Sequence, residues 1–177
     1  MVIAETVKGE GKIMERSHTI SVLVENEFGV LARVAGLFSS KGYNIDSLSV
    51  SPTIDPTLSR MTIVTHGSDQ IIEQILKQLN KLVNIIKVED LTKERHITRE
   101  LCLVKLRAES KPEILKLAEK FKAHVLESNS KAVVLELTGD EDELGRALEA
   151  FKPFGLMEVV RTGMIAIQRG EHVLVDA

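Results

Sequence analysis

Residues 25–46 place the tightest limits on what this chain can fold into. Just before them, residues 19–24 alternate with a period of two, which predicts a half-buried strand. Asn26 and Gly29 then interrupt the pattern with residues typical of turns. Gly42 ends the helix that follows, because glycine readily adopts the left-handed conformation of a helix C-cap. The apolar stripe of that helix consists of Val30, Leu31, Val34, Ala35, Leu37 and Phe38.

The turn before this helix has the chemistry of an anion site. The first N–H groups of a helix lack internal partners and lie at the positive end of its dipole, so they attract a carboxylate or phosphate. Gly29 has no side chain to block a ligand, and Asn26 offers an amide that can donate or accept. Taken alone, these two residues are more often a simple chain reversal than a binding site.

The order of predicted elements repeats along the chain. Residues 17–92 are predicted as strand, helix, strand, strand, helix and strand, the split βαββαβ pattern. Residues 97–170 repeat it, so the predicted fold class is α+β with two tandem ferredoxin-like domains. The polar run 92–96 is interpreted as the domain boundary, with a partner contact as the alternative. Residues 1–16 are predicted to be a flexible N-terminal extension, and residues 171–177 a tail.

The second half differs from the first in its local signals. We expect its first strand over residues 100–108 and its last over 159–167. Ser110 and Glu113 have the spacing of a capping box. The four carboxylates at 140–143 are interpreted as a helix cap instead of a metal site, because contiguous side chains diverge around the helix axis. This half lacks an Asn-x-x-Gly turn before its first helix, which favours an interaction role over a second sensing site.

Composition excludes several functional classes. A net charge of −3 argues against a nucleic-acid partner held through phosphate contacts. With no Trp, one Tyr and five Phe, the chain also has little surface for stacking bases. The single cysteine, Cys102, cannot form an intrachain disulfide, suits a reducing compartment and is predicted to be a small buried hydrophobe. No stretch approaches the ~20 apolar residues that a membrane helix needs.

The sequence carries no recognisable catalytic motif. It has neither a glycine-rich dinucleotide fingerprint nor a phosphate-binding loop. The histidines are scattered without the spacing of metal ligands. We therefore expect no catalytic residue, no metal site and no enzymatic activity of the chain by itself. These histidines are His18, His66, His96, His124 and His172.

Five segments resemble a known family. Glu25-Asn-Glu-Phe-Gly-Val-Leu31 and Lys41-Gly-Tyr-Asn-Ile-Asp-Ser-Leu48 resemble the first strand, turn, helix and second strand of an ACT domain, a module that typically binds amino acids. Ser51-Pro-Thr-Ile-Asp-Pro-Thr-Leu-Ser-Arg-Met-Thr-Ile63 is similar to the signature of the small regulatory subunits of acetolactate synthase (acetohydroxyacid synthase). Segments 99–105 and 160–166 also resemble that family. The resemblance covers residues 17–170, with an ACT domain first.

The resemblance implies a regulatory subunit in branched-chain amino-acid (valine, leucine, isoleucine) biosynthesis. Such a subunit activates the catalytic large subunit and confers feedback inhibition by valine or a related amino acid. The chain itself is expected to hold no cofactor, while thiamine diphosphate, Mg and FAD belong to the large subunit. Its expected partners are that subunit, a second copy paired through the ACT domains, and an amino-acid effector, with neither nucleic acid nor membrane. The expected location is the cytoplasm.

The resemblance also implies an effector site shared by two chains. The turn's N–H groups would hold the effector carboxylate, and two asparagine side chains would hold its ammonium. The residues implied are Asn26, Gly29, Val30 and Leu31 of one chain, facing Asn44 and Ile45 of its dimer mate.

Two alternatives stay open. One is a free-standing ACT-type sensor that regulates another protein. The other is an RNA-binding module, which shares the frame but needs aromatic side chains that the predicted central strands lack. Because each half contains a complete βαββαβ frame, we also expect a 1–92 fragment to dimerise and to bind an amino acid.

Overall fold

The computed structural model describes residues 16–174, which form two successive α+β halves. The first half contains β1 (Arg16–Glu25), α1 (Val30–Ser40), β2 (Ser47–Pro52), β3 (Leu58–Gly67), α2 (Asp69–Leu79) and β4 (Ile85–Asp90). The second contains β5 (His96–Arg107), α3 (Lys111–Lys120), β6 (His124–Ser128), β7 (Ala132–Gly139), α4 (Glu141–Phe151), β8 (Leu156–Arg161) and β9 (Ile165–Gln168). The predicted N-terminal extension, apart from Arg16, and residues 175–177 of the predicted tail lie outside the described residues.

The first half is an antiparallel sheet in the order β2–β3–β1–β4, with its helices on one face. Alternate residues of a strand share a face, so Ile20 and Val22 of β1 both point toward the helices and are fully buried. They belong to one core with Phe38 of α1 and Ile72 of α2. This arrangement confirms the predicted βαββαβ order.

The second half repeats the frame. Its main sheet has the order β6–β7–β5–β8, and α3 and α4 share its core. Cys102 of β5 is fully buried there, as predicted, and burial raises the pKa of its thiol. At the start of α4, the Asp140 carboxylate accepts from the Glu143 N–H at 2.8 Å. The Glu143 carboxylate accepts in return from the Asp140 N–H at 2.9 Å, so the predicted cap at 140–143 is confirmed as a reciprocal capping box.

Both ends of the second half differ from the sequence-based prediction. β5 begins at His96, earlier than expected, and the final strand predicted over 159–167 is in fact two strands, β8 and β9. The chain turns at Gly163, whose φ of +81° favours glycine. A Cβ on Gly163 would also lie 3.0 Å from the backbone oxygen of Leu48, so the turn depends on a close approach between the halves. After this turn, β9 pairs with the first residues of β5.

Residues 96–99 and β9 form a two-stranded ribbon, here called the β5–β9 ribbon. The ribbon packs against the face of the first sheet that points away from the helices. The Arg60 guanidinium links the two layers, since it donates to Ser21 Oγ and to the Ala166 carbonyl, each at 3.1 Å. Leu23 lies on this outer face and is only 2 % exposed, so the face is covered. The second half therefore completes the packing of the first.

The predicted capping box at Ser110 and Glu113 is wrong. Ser110 is the N-cap of α3 but makes no capping hydrogen bond through its side chain. A short 3-10 turn, Ala108–Ser110, precedes the helix, and Ser110 has φ −112° and ψ 41°. An N-cap residue normally has an extended backbone conformation, which directs its side-chain oxygen toward the N–H groups of the first turn. Ser110 does not have this conformation.

Candidate functional site

The β1–α1 turn, residues 26–29, is anchored to the hairpin that joins β2 to β3. The Asn26 N–H donates to the Thr57 carbonyl at 2.7 Å, and the Asn26 Nδ2 donates to the Pro56 carbonyl at 2.9 Å. Gly29 follows with φ +82°, a conformation that favours glycine. Apart from Gly29 and its two chain neighbours, no heavy atom lies within 4 Å of where its Cβ would be, so the space beside Gly29 is open.

The N-terminus of α1 is uncapped. Gly29, its N-cap, has no side chain to accept from the helix, and the first turn contains no acidic residue. The Val30 N–H reaches the Glu27 carbonyl only at 3.4 Å, and within residues 16–174 no protein acceptor contacts the Leu31 N–H. The Val30 side chain is buried in the core, whereas Leu31 is exposed. The turn thus presents backbone donors, beside an exposed aliphatic side chain, at the positive end of a helix.

The other two predicted residues lie beyond the opposite end of α1. The helix closes with a Schellman motif, in which Gly42 at φ +73° brings the Tyr43 N–H to the Phe38 carbonyl at 3.0 Å. Asn44 and Ile45 follow directly. An α-helix of this length is about 16 Å long, so these residues cannot reach the turn at Gly29 within one chain.

Asn44 is held by a small polar network. Its Nδ2 donates to Asp46 Oδ1 at 2.6 Å, and its backbone carbonyl accepts from Thr65 Oγ1 at 2.6 Å. Asp46 Oδ2 lies 2.7 Å from His66 Nδ1, and this hydrogen bond is the main reason that the pKa of the Asp46 carboxyl is lowered. The side chain of Ile45 is partly buried against the first core.

The structure therefore brings the predicted site residues together in two groups. Asn26, Gly29, Val30 and Leu31 form one group, and Asn44 with Ile45 forms the other. Sequence reasoning missed the residues that support each group, namely Asp46 and His66 on one side and Asn84 on the other. Nothing in the local pattern signals His66 or Asn84, because their contacts are long-range in sequence, whereas Asp46 contacts Asn44 from only two positions away.

A groove of about 730 Å³ opens on the outer face, between β2 and the β5–β9 ribbon. Its walls carry Ile97, Ile165 and Ile167, with Arg60 and Arg99 as charged groups. It contains none of the predicted effector residues. It borders the open edge of β2, so a second copy paired along that edge would adjoin it.

Two further findings concern residues 16–174 only. None of their helices combines the length and the apolar character needed to cross a membrane. Across the same residues, no group of three His, Cys, Asp or Glu side chains is placed to hold a metal ion.

A βαββαβ domain with an open helix N-terminus after its first strand defines the class of the ACT-type regulatory domain. The family model described as the AHAS small subunit-like ACT domain matches residues 20–87. The model described as the small subunit of acetolactate synthase matches residues 99–170. The chain belongs to the family of acetolactate synthase small subunits.

Individual relatives agree over both halves. The acetolactate synthase small subunit of Haemophilus influenzae is 47 % identical over 155 residues, covering 86 % of this chain and 95 % of that protein. The small subunit of Aquifex aeolicus is 45 % identical over 157 residues, covering 87 % of this chain and 82 % of that protein. The crystal structure of the small subunit from Thermotoga maritima has a TM-score of 0.82 at 35 % identity and covers 89 % of this chain and 99 % of that one. These matches confirm the family and the two-domain α+β fold predicted from sequence.

Proposed function

We propose that this chain senses valine, or a related branched-chain amino acid, and inhibits the acetolactate synthase large subunit that it otherwise activates. The observation that carries this proposal is the uncapped N-terminus of α1 at Gly29, in a chain of the small-subunit family. Catalysis, with thiamine diphosphate, Mg and FAD, is assigned to the large subunit. This chain contributes neither a cofactor nor a catalytic residue, and it works in the cytoplasm. Family membership favours this role over that of a free-standing sensor.

The open edge of β2 supports a homodimer. In the described part of the chain β2 pairs only with β3, and an unpaired strand edge is apt to pair with another strand. A two-fold axis beside this edge would pair β2 with its copy in antiparallel orientation and join the two sheets into one.

This pairing supports a site made by two chains. In an antiparallel β2–β2 pair, the end of one strand lies beside the start of the other. The hairpin after β2 holds Asn26, because Pro56 and Thr57 accept from it. Asn44 and Ile45 come just before β2. The Gly29 turn of one chain would therefore approach Asn44 and Ile45 of its mate.

The two asparagines are oriented for an ammonium group. The Nδ2 of Asn26 donates to Pro56, and the Nδ2 of Asn44 donates to Asp46. Each amide oxygen is thus left to accept from the effector ammonium. The N–H groups of residues 29–31 would bind the effector carboxylate. The side chain would rest on apolar surface, so discrimination among Val, Leu and Ile by one methylene should be ~1–3 kcal/mol.

The test is to co-express the chain with the large subunit of its organism and to purify the complex. Acetolactate formation is then measured with and without the small subunit, adding valine, leucine and isoleucine separately. The proposal predicts co-purification, higher activity of the complex and inhibition by at least one of the three amino acids. Absence of a complex would contradict the regulatory-subunit role, whereas a complex insensitive to all three would contradict the effector class.

A further inference from the structure

Asn84 lies in the loop between α2 and β4 and is 7 % exposed. Its backbone carbonyl accepts from the Glu25 N–H at 3.0 Å, at the point where β1 ends. Its side-chain Nδ2 donates to the Glu25 carboxylate at 2.5 Å and lies 3.4 Å from the Glu27 carboxylate. Its Oδ1 accepts from the Arg33 guanidinium on the first turns of α1. One buried amide therefore contacts the end of β1, the turn and the helix.

The charges around Asn84 fix the orientation of its amide. The Nδ2 group faces the carboxylates of Glu25 and Glu27, and the oxygen faces the Arg33 cation. The flipped amide would place an acceptor against two acceptors and a donor against a cation, so it would lose all three contacts. Hydrogen bonds to charged groups are stronger than neutral ones, so this arrangement holds the side chain in one state.

The same contacts hold the β1–α1 turn from the side opposite the hairpin. On the hairpin side, Thr57 and Pro56 accept from Asn26. On the other side, Asn84 binds Glu25 and Arg33, the residues that flank the turn. The N–H groups after Gly29 are useful to a ligand only if their direction is fixed before binding, because ordering them afterwards would cost affinity.

We propose that Asn84 is a positioning residue that fixes the β1–α1 turn for effector binding without touching the effector. The proposal rests on the function proposed above. Without the amide, Arg33 loses its acceptor, and the Glu25 and Glu27 carboxylates lose their shared donor. The two carboxylates are then attracted directly to Arg33, which changes the course of the turn.

The test compares three full-length variants with the wild type. Asn84→Leu removes the amide with little change in volume. Asn84→Asp keeps an acceptor for Arg33 but adds a third carboxylate beside Glu25 and Glu27. Asn129→Leu is the matched control, because Asn129 donates to Glu127 and accepts from two backbone N–H groups in a turn of the second half.

Three measurements are made on each variant. Hydrogen exchange of residues 25–33 is followed without effector, valine affinity is measured by calorimetry, and thermal unfolding reports global stability. In Asn84→Leu we expect hydrogen exchange in this segment to accelerate by about tenfold or more. We expect the Kd for valine to rise by a similar factor. Asn129→Leu should change neither. In Asn84→Asp, affinity should recover as the pH falls from about 7 toward 5, since a protonated carboxyl can again donate to Glu25 or Glu27.

Unchanged exchange over residues 25–33 in Asn84→Leu would overturn the proposal. So would an acceleration spread evenly over both halves, which would mean a general loss of stability. A loosened turn with unchanged valine affinity would overturn it if Gly29→Asp weakens valine binding. If Gly29→Asp also leaves valine binding unchanged, the effector site itself is wrongly placed, and the function proposed above fails first.

Discussion

Replacing Gly29 with aspartate would place a negative charge beside the proposed carboxylate site. The space at its Cβ is open, so a side chain fits there without a clash. The φ of +82° disfavours most residues, but Asn and Asp tolerate it better than others. The variant should therefore fold, and its main effect should fall on the ligand.

The expected loss follows from Coulomb's law. Two carboxylates that share the first turn of one helix would lie about 5 Å apart, the span of a helical turn. At that distance two unit charges repel by about 3 kcal/mol at an effective dielectric constant of about 20, and by about 0.8 kcal/mol in bulk water. Because the turn is partly exposed, we expect valine-binding free energy to weaken by about 1–3 kcal/mol. This corresponds to a valine affinity about 5- to 150-fold weaker.

Calorimetry with valine on the full-length protein provides the measurement, with two controls. Gly29→Asn has nearly the same size and tolerates the same φ but carries no charge. Gly170→Asp adds the same charge at a remote glycine with φ +92° and nothing within 4 Å of its Cβ. Both controls should bind valine much more tightly than Gly29→Asp does. Normal affinity in Gly29→Asp would refute the site, and equal losses in both Gly29 variants would refute the electrostatic argument.

Three further predictions concern stability. Asp140→Ala removes the capping box with Glu143 and should lower the free energy of unfolding by about 1 kcal/mol, measured by denaturant titration. Because the pKa of the Asp46 carboxyl is lowered in the folded state, its ionised form stabilises the fold at pH values above 3.8, the ordinary pKa. This stabilisation is lost as the pH falls through the folded-state pKa. Asp46→Asn should therefore make the free energy of unfolding fall less steeply with decreasing pH below 3.8. An unchanged pH dependence in that range would contradict this prediction. A 1–92 fragment should unfold at lower denaturant concentration than the full chain, because it loses the β5–β9 ribbon; equal midpoints would show that the ribbon contributes no stability.

Local signals made much of the fold predictable. The period-two strand around Ile20, the cap at Gly42 and the acidic start of α4 depend on residues close together in sequence. The two βαββαβ frames follow from the order of such elements. The open turn at Gly29 could be predicted for the same reason, since a glycine at a helix start is visible in the sequence.

What could not be predicted depends on distant contacts. The final strand divides at Gly163, which has a positive φ and closely approaches Leu48 in the other half, and no local pattern encodes that approach. Asn84 reaches Glu25 across 59 positions of the chain. The expectation that residues 1–92 suffice for dimerisation and binding remains a prediction. It took no account of the outer face of the first sheet, which the second half covers and where Leu23 is buried.

Mixed dimers test most directly whether the effector site is shared by two chains. Chains carrying Gly29→Asp and chains carrying Asn44→Lys are given different tags, co-expressed and purified as the mixed dimer, and valine binding is measured by calorimetry. In the mixed dimer one site combines an intact turn with an intact Asn44, while the other site carries both changes. The account predicts one valine per mixed dimer at nearly wild-type affinity, and strongly weakened binding in both parent homodimers. A mixed dimer that binds no better than its parents would contradict a site built from Gly29 of one chain and Asn44 of the other.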